Sequence, residues 1–178
     1  MDNYREEIVI KHNRAGNNIL YALLCIIMVL SGAMALLYIS QITFSQNILM
    51  TIVFTVVYGG IAFLIWWKKD MLRLEYEYTF TNGQMDFAQV FNNKKRKNLG
   101  TMNLKNVEAL GLVNSGSFNR YINMKGIKRD NWFVNRDAQL FYFYFSKDSV
   151  KRIIIIEVSD EMLALIKRYA APGAYQVN

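Results

Sequence analysis

The sequence is poor in the residues that build disulfides and metal centres. Its 178 residues include one cysteine (Cys25), one histidine (His12) and one proline (Pro172). A lone cysteine excludes a disulfide framework and a cysteine-based metal site, and a lone histidine excludes a site made of histidines. The most informative absence is of charge. Between Ala15 and Trp67, 53 residues, there is no Asp, Glu, Lys, Arg or His. Soluble domains rarely tolerate this, because their loops need solvated side chains.

About 20 apolar residues cross a hydrocarbon core of roughly 30 Å as a helix. The uncharged stretch fits two such helices, at about 18–39 and 48–67. Ser40 to Asn47 is polar but uncharged, which suits a tight turn at the far interface. Trp66 and Trp67 stand where an interfacial aromatic belt would end the second helix. A cleaved signal peptide is the alternative, with Ala33-Met34-Ala35 as the site. The apolar run continues past it through Ile39, which favours a membrane-spanning hairpin. Basic residues flank both ends, Arg5, Lys11 and Arg14 before and Lys68, Lys69 and Arg73 after, and the turn has none. The chain is therefore expected to be a multi-pass protein of a bacterial cell membrane with both termini cytoplasmic.

Three segments follow: 1–14, a short polar segment with Ile8, Val9 and Ile10 as its apolar cluster; 15–67, the hairpin; and 68–178, a cytoplasmic domain. The first 14 residues are neutral overall, so the net charge of +7 rests on the last segment. Anionic lipid attracts such a domain by about 1 kcal/mol per well-placed Lys or Arg. Nucleic acid is not an expected partner, since nothing besides charge points to it.

After the hairpin the apolar period changes to two. Leu72, Leu74, Tyr76, Tyr78 and Phe80 alternate with Arg73, Glu75, Glu77 and Thr79, which predicts a strand with one wet face. Asn82-Gly83 is a two-residue hairpin turn, and Met85, Phe87 and Phe91 continue the apolar face. Asn92 to Asn98 reads as a basic connection; Leu99–Leu104 and Val107–Val113 read as weaker strands. Asn114 to Ser117 is a loop, and a short strand is expected within Arg120–Ile127. Gln139–Ser146 and Lys151–Val158 are strong strands. Ser159 caps a helix to about residue 171 whose stripe is Met162, Leu165, Ile166 and Tyr169, stopped by Pro172-Gly173.

The run Leu74-Glu75-Tyr76-Glu77-Tyr78-Thr79-Phe80-Thr81-Asn82-Gly83, followed by Lys94-Lys95-Arg96-Lys97, resembles small bacterial membrane proteins that join a two-helix hairpin to a PH-like domain. That resemblance implies an α+β fold: a transmembrane hairpin, then a PH-like antiparallel β-barrel of about seven strands closed by a C-terminal α-helix. Phosphoinositide-binding PH domains carry a long basic loop between their first two strands. Here that connection is only Asn82-Gly83, too short to cradle a head group.

The candidate contact with anionic head groups is Lys68, Lys69 and Arg73 together with Lys94, Lys95, Arg96 and Lys97. At about 3.3 Å per residue the turn at Asn82-Gly83 lies roughly 30 Å from the start of its strand, and the return strand brings Lys94 back. Arg120, Lys125, Lys128, Arg129 and Trp132 form a second candidate, a partner surface. Ser31 and Ala35, with Thr51, Thr55 and Gly59, recur every four residues and suit close helix–helix packing within the hairpin or between copies. No phosphate loop, nucleophile elbow or paired-carboxylate motif is present. The expected function is a non-catalytic, membrane-anchored binding or scaffold module, without a cofactor. The alternative is a small accessory subunit of a larger membrane complex. A protein partner or a second copy joins lipid among the expected partners.

Overall fold

A computed structural model describes residues 3–176. The chain forms two compact units: residues 13–74, and the residues up to His12 together with Glu75 onward.

The first unit is helical. α1 spans Ala15–Ser40 and α2 spans Ile48–Lys68, followed by a 3-10 turn at Lys69–Arg73. Asn47 caps α2, its side chain accepting the Met50 N–H at 3.3 Å. Both helices are long and apolar enough to cross a membrane. Where they meet, Ser31, Ala35 and Thr51 are buried, and a Cβ at Gly59 would lie 4.0 Å from that of Ala35. The Thr55 hydroxyl donates to the Thr51 carbonyl at 2.9 Å, which satisfies it inside its own helix. Tyr38 stacks on Phe54 and Tyr58, with ring centres 5.2 and 5.8 Å apart. The remaining faces are bare, with Leu36 69% and Leu49 71% exposed.

The second unit is built on two sheets. β1 (Tyr4–Val9), β2 (Leu74–Thr81), β3 (Gln84–Phe91) and β4 (Lys95–Asn103) form one, in that order. β5 (Ala109–Leu112), α3 (Gly116–Ile122), β6 (Lys128–Trp132), β7 (Leu140–Lys147), β8 (Val150–Glu157), α4 (Asp160–Tyr169) and β9 (Tyr175–Gln176) follow. The second sheet runs β6-β8-β7-β5-β9.

The expected closed antiparallel barrel is corrected in two respects. The sheets are separate, and two pairings are parallel, β6 with β8 and β5 with β9. The break falls after β4. Asn103 accepts the Lys105 N–H at 3.0 Å and caps a 3-10 turn at Leu104–Asn106, which redirects the chain so that β5 joins the other sheet. Among the described residues, β1 and β4 are the outer strands of the first sheet.

Four local readings also change. The segment before α1, which the sequence left open, is a strand: Tyr4 to Val9 pair with Thr81 to Tyr76. The basic connection is mostly strand, because Asn92 and Asn93 take left-handed φ of +50° and +53° and turn the chain at once. The strand expected in Arg120–Ile127 gives way to α3. Ser115 caps it, and Phe118, Tyr121 and Ile122 pack at helical spacing on Tyr142 and Tyr144. Finally, Glu75 and Glu77 do not lie on a wet face; they are 7% and 8% exposed.

The inner face of β2 carries Tyr76, Tyr78 and Phe80, all buried. The second sheet is buried on both faces, which is why Ile153 to Ile156 form an unbroken apolar run. α4 buries Met162, Leu163 and Ile166, and its Tyr169 ring meets Phe80 edge-on at 5.3 Å. Gly83, at φ +90°, passes so close to Tyr169 that a Cβ would approach the ring to 2.9 Å.

Candidate functional site

The turn at residues 92–94 sits at one end of the first sheet, where β2 begins and β1 ends. The register shows it: Val9 pairs with Tyr76 there, and Phe91 with Lys95. The Asn82-Gly83 turn lies at the other end. Lys95 and Lys97 stand opposite Phe91 and Gln89, and Arg96 stands opposite Val90 on the outer face. The outer face also carries Glu77, whose carboxylate receives Arg96 at 2.6 Å. Burial pushes the Glu77 carboxyl above the usual carboxylate range, neighbouring Glu6 adds to this, and the Arg96 charge opposes it. Glu6 in turn accepts the Tyr4 hydroxyl at 2.8 Å.

Of the seven residues in the candidate lipid contact, three are therefore engaged by protein. Arg96 holds Glu77. Lys69 is buried, with its ammonium 3.2 Å from Asp70. Arg73 lies 4.0 Å over the Tyr21 ring. Lys94, Lys95 and Lys97 are exposed, and Lys68 extends over Trp67 at 4.5 Å.

The second candidate surface divides. Trp132 packs on Phe87 at 4.9 Å, on the face of its sheet that carries Ile156 and Phe141. Arg120 lies over Tyr121 of α3, which covers the opposite face, that of Tyr142 and Ile155. Trp132 is thus a filler between sheets, while Lys125, Lys128 and Arg129 are exposed.

A further polar constellation was almost silent in the sequence. Asn135 is buried, donates to the Ile10 carbonyl and accepts the His12 N–H, both at 2.9 Å. Its side chain thus pairs with the strand end as another strand would. Glu157 orients it, accepting from the Asn135 side chain at 3.0 Å and its backbone N–H at 3.2 Å. His12 lies 3.6 Å from Glu157 and 3.8 Å from Asp137. Along β1, Glu7 accepts the Ser159 N–H at 3.1 Å and the Ser159 hydroxyl, while that same oxygen accepts the Met162 N–H and caps α4. Arg5 binds Glu7 at 2.9 Å and Glu161 at 3.3 Å. Between these two clasps lies an open groove of about 420 Å³. Only Ser159 was legible, as a cap; its bond to Glu7 and those of Asn135 to Ile10 and His12 join residues more than 120 positions apart.

No three or more His, Cys, Asp or Glu side chains among the described residues are grouped to hold a metal ion. Neither the curated proteins nor the solved structures hold a significant match to the chain. The sequence profile of the bacterial PH-like domain (DUF6106) matches residues 1–175. With nearly its whole length covered by that match, and two sheets and a C-terminal helix following a helical hairpin, the chain belongs to this bacterial PH-like domain family.

Proposed function

We propose that the protein is a membrane-anchored, non-catalytic binding module that presents its PH-like domain at the cytoplasmic leaflet of a bacterial membrane. One observation carries the anchoring: two helices, Ala15–Ser40 and Ile48–Lys68, whose apolar side chains stand exposed instead of forming a core. Lipid is the solvent that such faces require. Arg5, Lys11, Arg14, Lys68, Lys69 and Arg73 flank the pair and favour a cytoplasmic domain.

The chain passes from Arg73 directly into β2, and Lys94, Lys95 and Lys97 lie at the end of the sheet where β2 begins. Connectivity thus favours that end as the one meeting anionic head groups. Three exposed lysines would add attraction of about 1 kcal/mol each. The test of anchoring is alkaline carbonate extraction of cell membranes. Retention in the pellet supports it, and release into the supernatant refutes it.

A second reading, an accessory subunit of a larger membrane complex, is favoured by Gly32 and Gly60. A Cβ at either would meet nothing within 4 Å, which leaves room for another helix to approach closely. Capture of a stoichiometric membrane partner in mild detergent supports this reading; its absence favours the first.

A further inference from the structure

We infer that the groove between the two clasps binds an extended segment of a partner protein, rich in alternating apolar and basic residues, by strand addition to β1. This extends the binding-module reading to a protein ligand and is independent of lipid contact.

The first support is backbone polarity. The Asn82 N–H donates to the Asn3 carbonyl at 3.0 Å, which fixes the phase of the β1–β2 ladder. In an antiparallel pair, alternate residues bond inward. Arg5, Glu7 and Val9 therefore bond to β2, and Tyr4, Glu6 and Ile8 turn their N–H and C=O groups to the free edge. The same alternation puts Ile10 on that edge, and there the Asn135 amide already supplies the hydrogen bonds of a neighbouring strand. One position of the edge is thus occupied by a strand mimic, while Ile8 faces open space.

The second support is containment. Unprotected edges invite uncontrolled pairing, but at Ile8 this one opens on a groove bounded by Ala138, Gln139 and Val158. Its volume of about 420 Å³ is in the range of ligand sites. The clasps at Glu7–Ser159 and Asn135–His12 hold β1 in place, so an incoming strand meets a preformed template.

The third support is charge. In a chain of net charge +7, the groove lining holds Glu7 and Glu157 and no Lys or Arg. Arg5, beside it, is engaged with Glu7 and Glu161. An added strand would set one row of side chains beside Ile8, which is 57% exposed, with Glu6 and Tyr4 further along that row, and the other toward Val158 and the two carboxylates. An apolar residue suits the place beside Ile8, and basic residues suit the second row.

The test uses the full chain in nanodiscs of neutral lipid, with three blocked heptapeptides as probes. One alternates Val and Lys, one alternates Val and Glu, and the third is the Val/Lys peptide N-methylated along one edge. The Val/Lys peptide is expected to bind and to slow hydrogen exchange at the Ile8 amide. N-methylation and Ile8→Pro are each expected to weaken binding at least about tenfold, the scale of a lost backbone hydrogen bond. Ile8→Pro removes an edge donor together with the exposed Ile8 side chain, and the N-methylated probe isolates the hydrogen bond without altering the protein. No binding of the Val/Lys peptide, equal binding of the methylated probe, or preference for Val/Glu overturns the inference. None of these outcomes bears on attraction of the lysine cluster to anionic lipid, which Ile8→Pro leaves intact.

Discussion

Asn135 holds the chain at His12 in the manner of a paired strand, accepting its N–H at 2.9 Å while donating to the Ile10 carbonyl at 2.9 Å. The residue is 5% exposed and fixed from behind by Glu157. This contact seats the last stretch of chain before the helical hairpin.

Asn135→Ala should therefore do more than remove a surface contact. It leaves the partners of a buried amide unmet, at about 1–3 kcal/mol for each group kept from water. The expected result is a lower thermal midpoint, with faster hydrogen exchange at His12 before the core strands open. Exchange at His12 equal to wild type would contradict the assignment.

Ser159→Ala removes an N-cap and one of the hydrogen bonds to Glu7 together. Loss of the cap alone costs about 1 kcal/mol. Glu7→Gln should cost less in the Ser159→Ala background than in the wild type, because the hydroxyl that Glu7 accepts is already gone while Arg5 and the backbone N–H of residue 159 remain. Chemical denaturation of the four combinations measures the coupling, and strictly additive effects would show that the two residues act separately.

Glu77 makes stability depend on pH in a defined direction. Its folded carboxyl binds a proton more tightly than an unfolded glutamate, whose pKa is about 4.3. The folded state therefore holds more protons, and stability declines as pH rises from about 4 through the raised folded value. Glu77→Gln should flatten that part of the profile. Arg96→Ala should extend the decline to higher pH by removing the opposing charge 2.6 Å away. Urea midpoints measured across the range decide it.

Gly83→Ala should cost about 1–3 kcal/mol. The position has φ +90°, and the new Cβ would meet the Tyr169 ring at 2.9 Å. Tyr169→Ala should relieve the steric part and leave the conformational part, which a double-mutant cycle separates.

Much of this architecture is written locally. The uncharged run reads directly as two helices, within three residues of their bounds at Ala15–Ser40 and Ile48–Lys68. The alternation in Leu74–Phe80 and the Asn82-Gly83 turn likewise need no distant information. What was hidden is non-local. The pairing of β6 with β8 depends on a charged segment finding Ile153 to Ile156, and Lys128-Arg129-Asp130 carries no period to announce it. α3 was obscured because Gly116 and Ser117 read as loop, although Ser115 is its cap. Arg96 looked like one of four equivalent cations until β4 placed it against Glu77. The groove was invisible because both its walls come from opposite ends of the chain.

The proposed membrane contact places the lysine end of the first sheet against an anionic surface. The most direct measurement places a fluorophore at residue 94, by Lys94→Cys in a Cys25→Ser background, in the full chain reconstituted into nanodiscs with spin-labelled lipid head groups. Strong quenching is expected with anionic lipid, relieved by high salt and weaker with neutral lipid. A fluorophore at residue 94 that is unquenched in both lipids, or quenched equally by both at any salt, would contradict it.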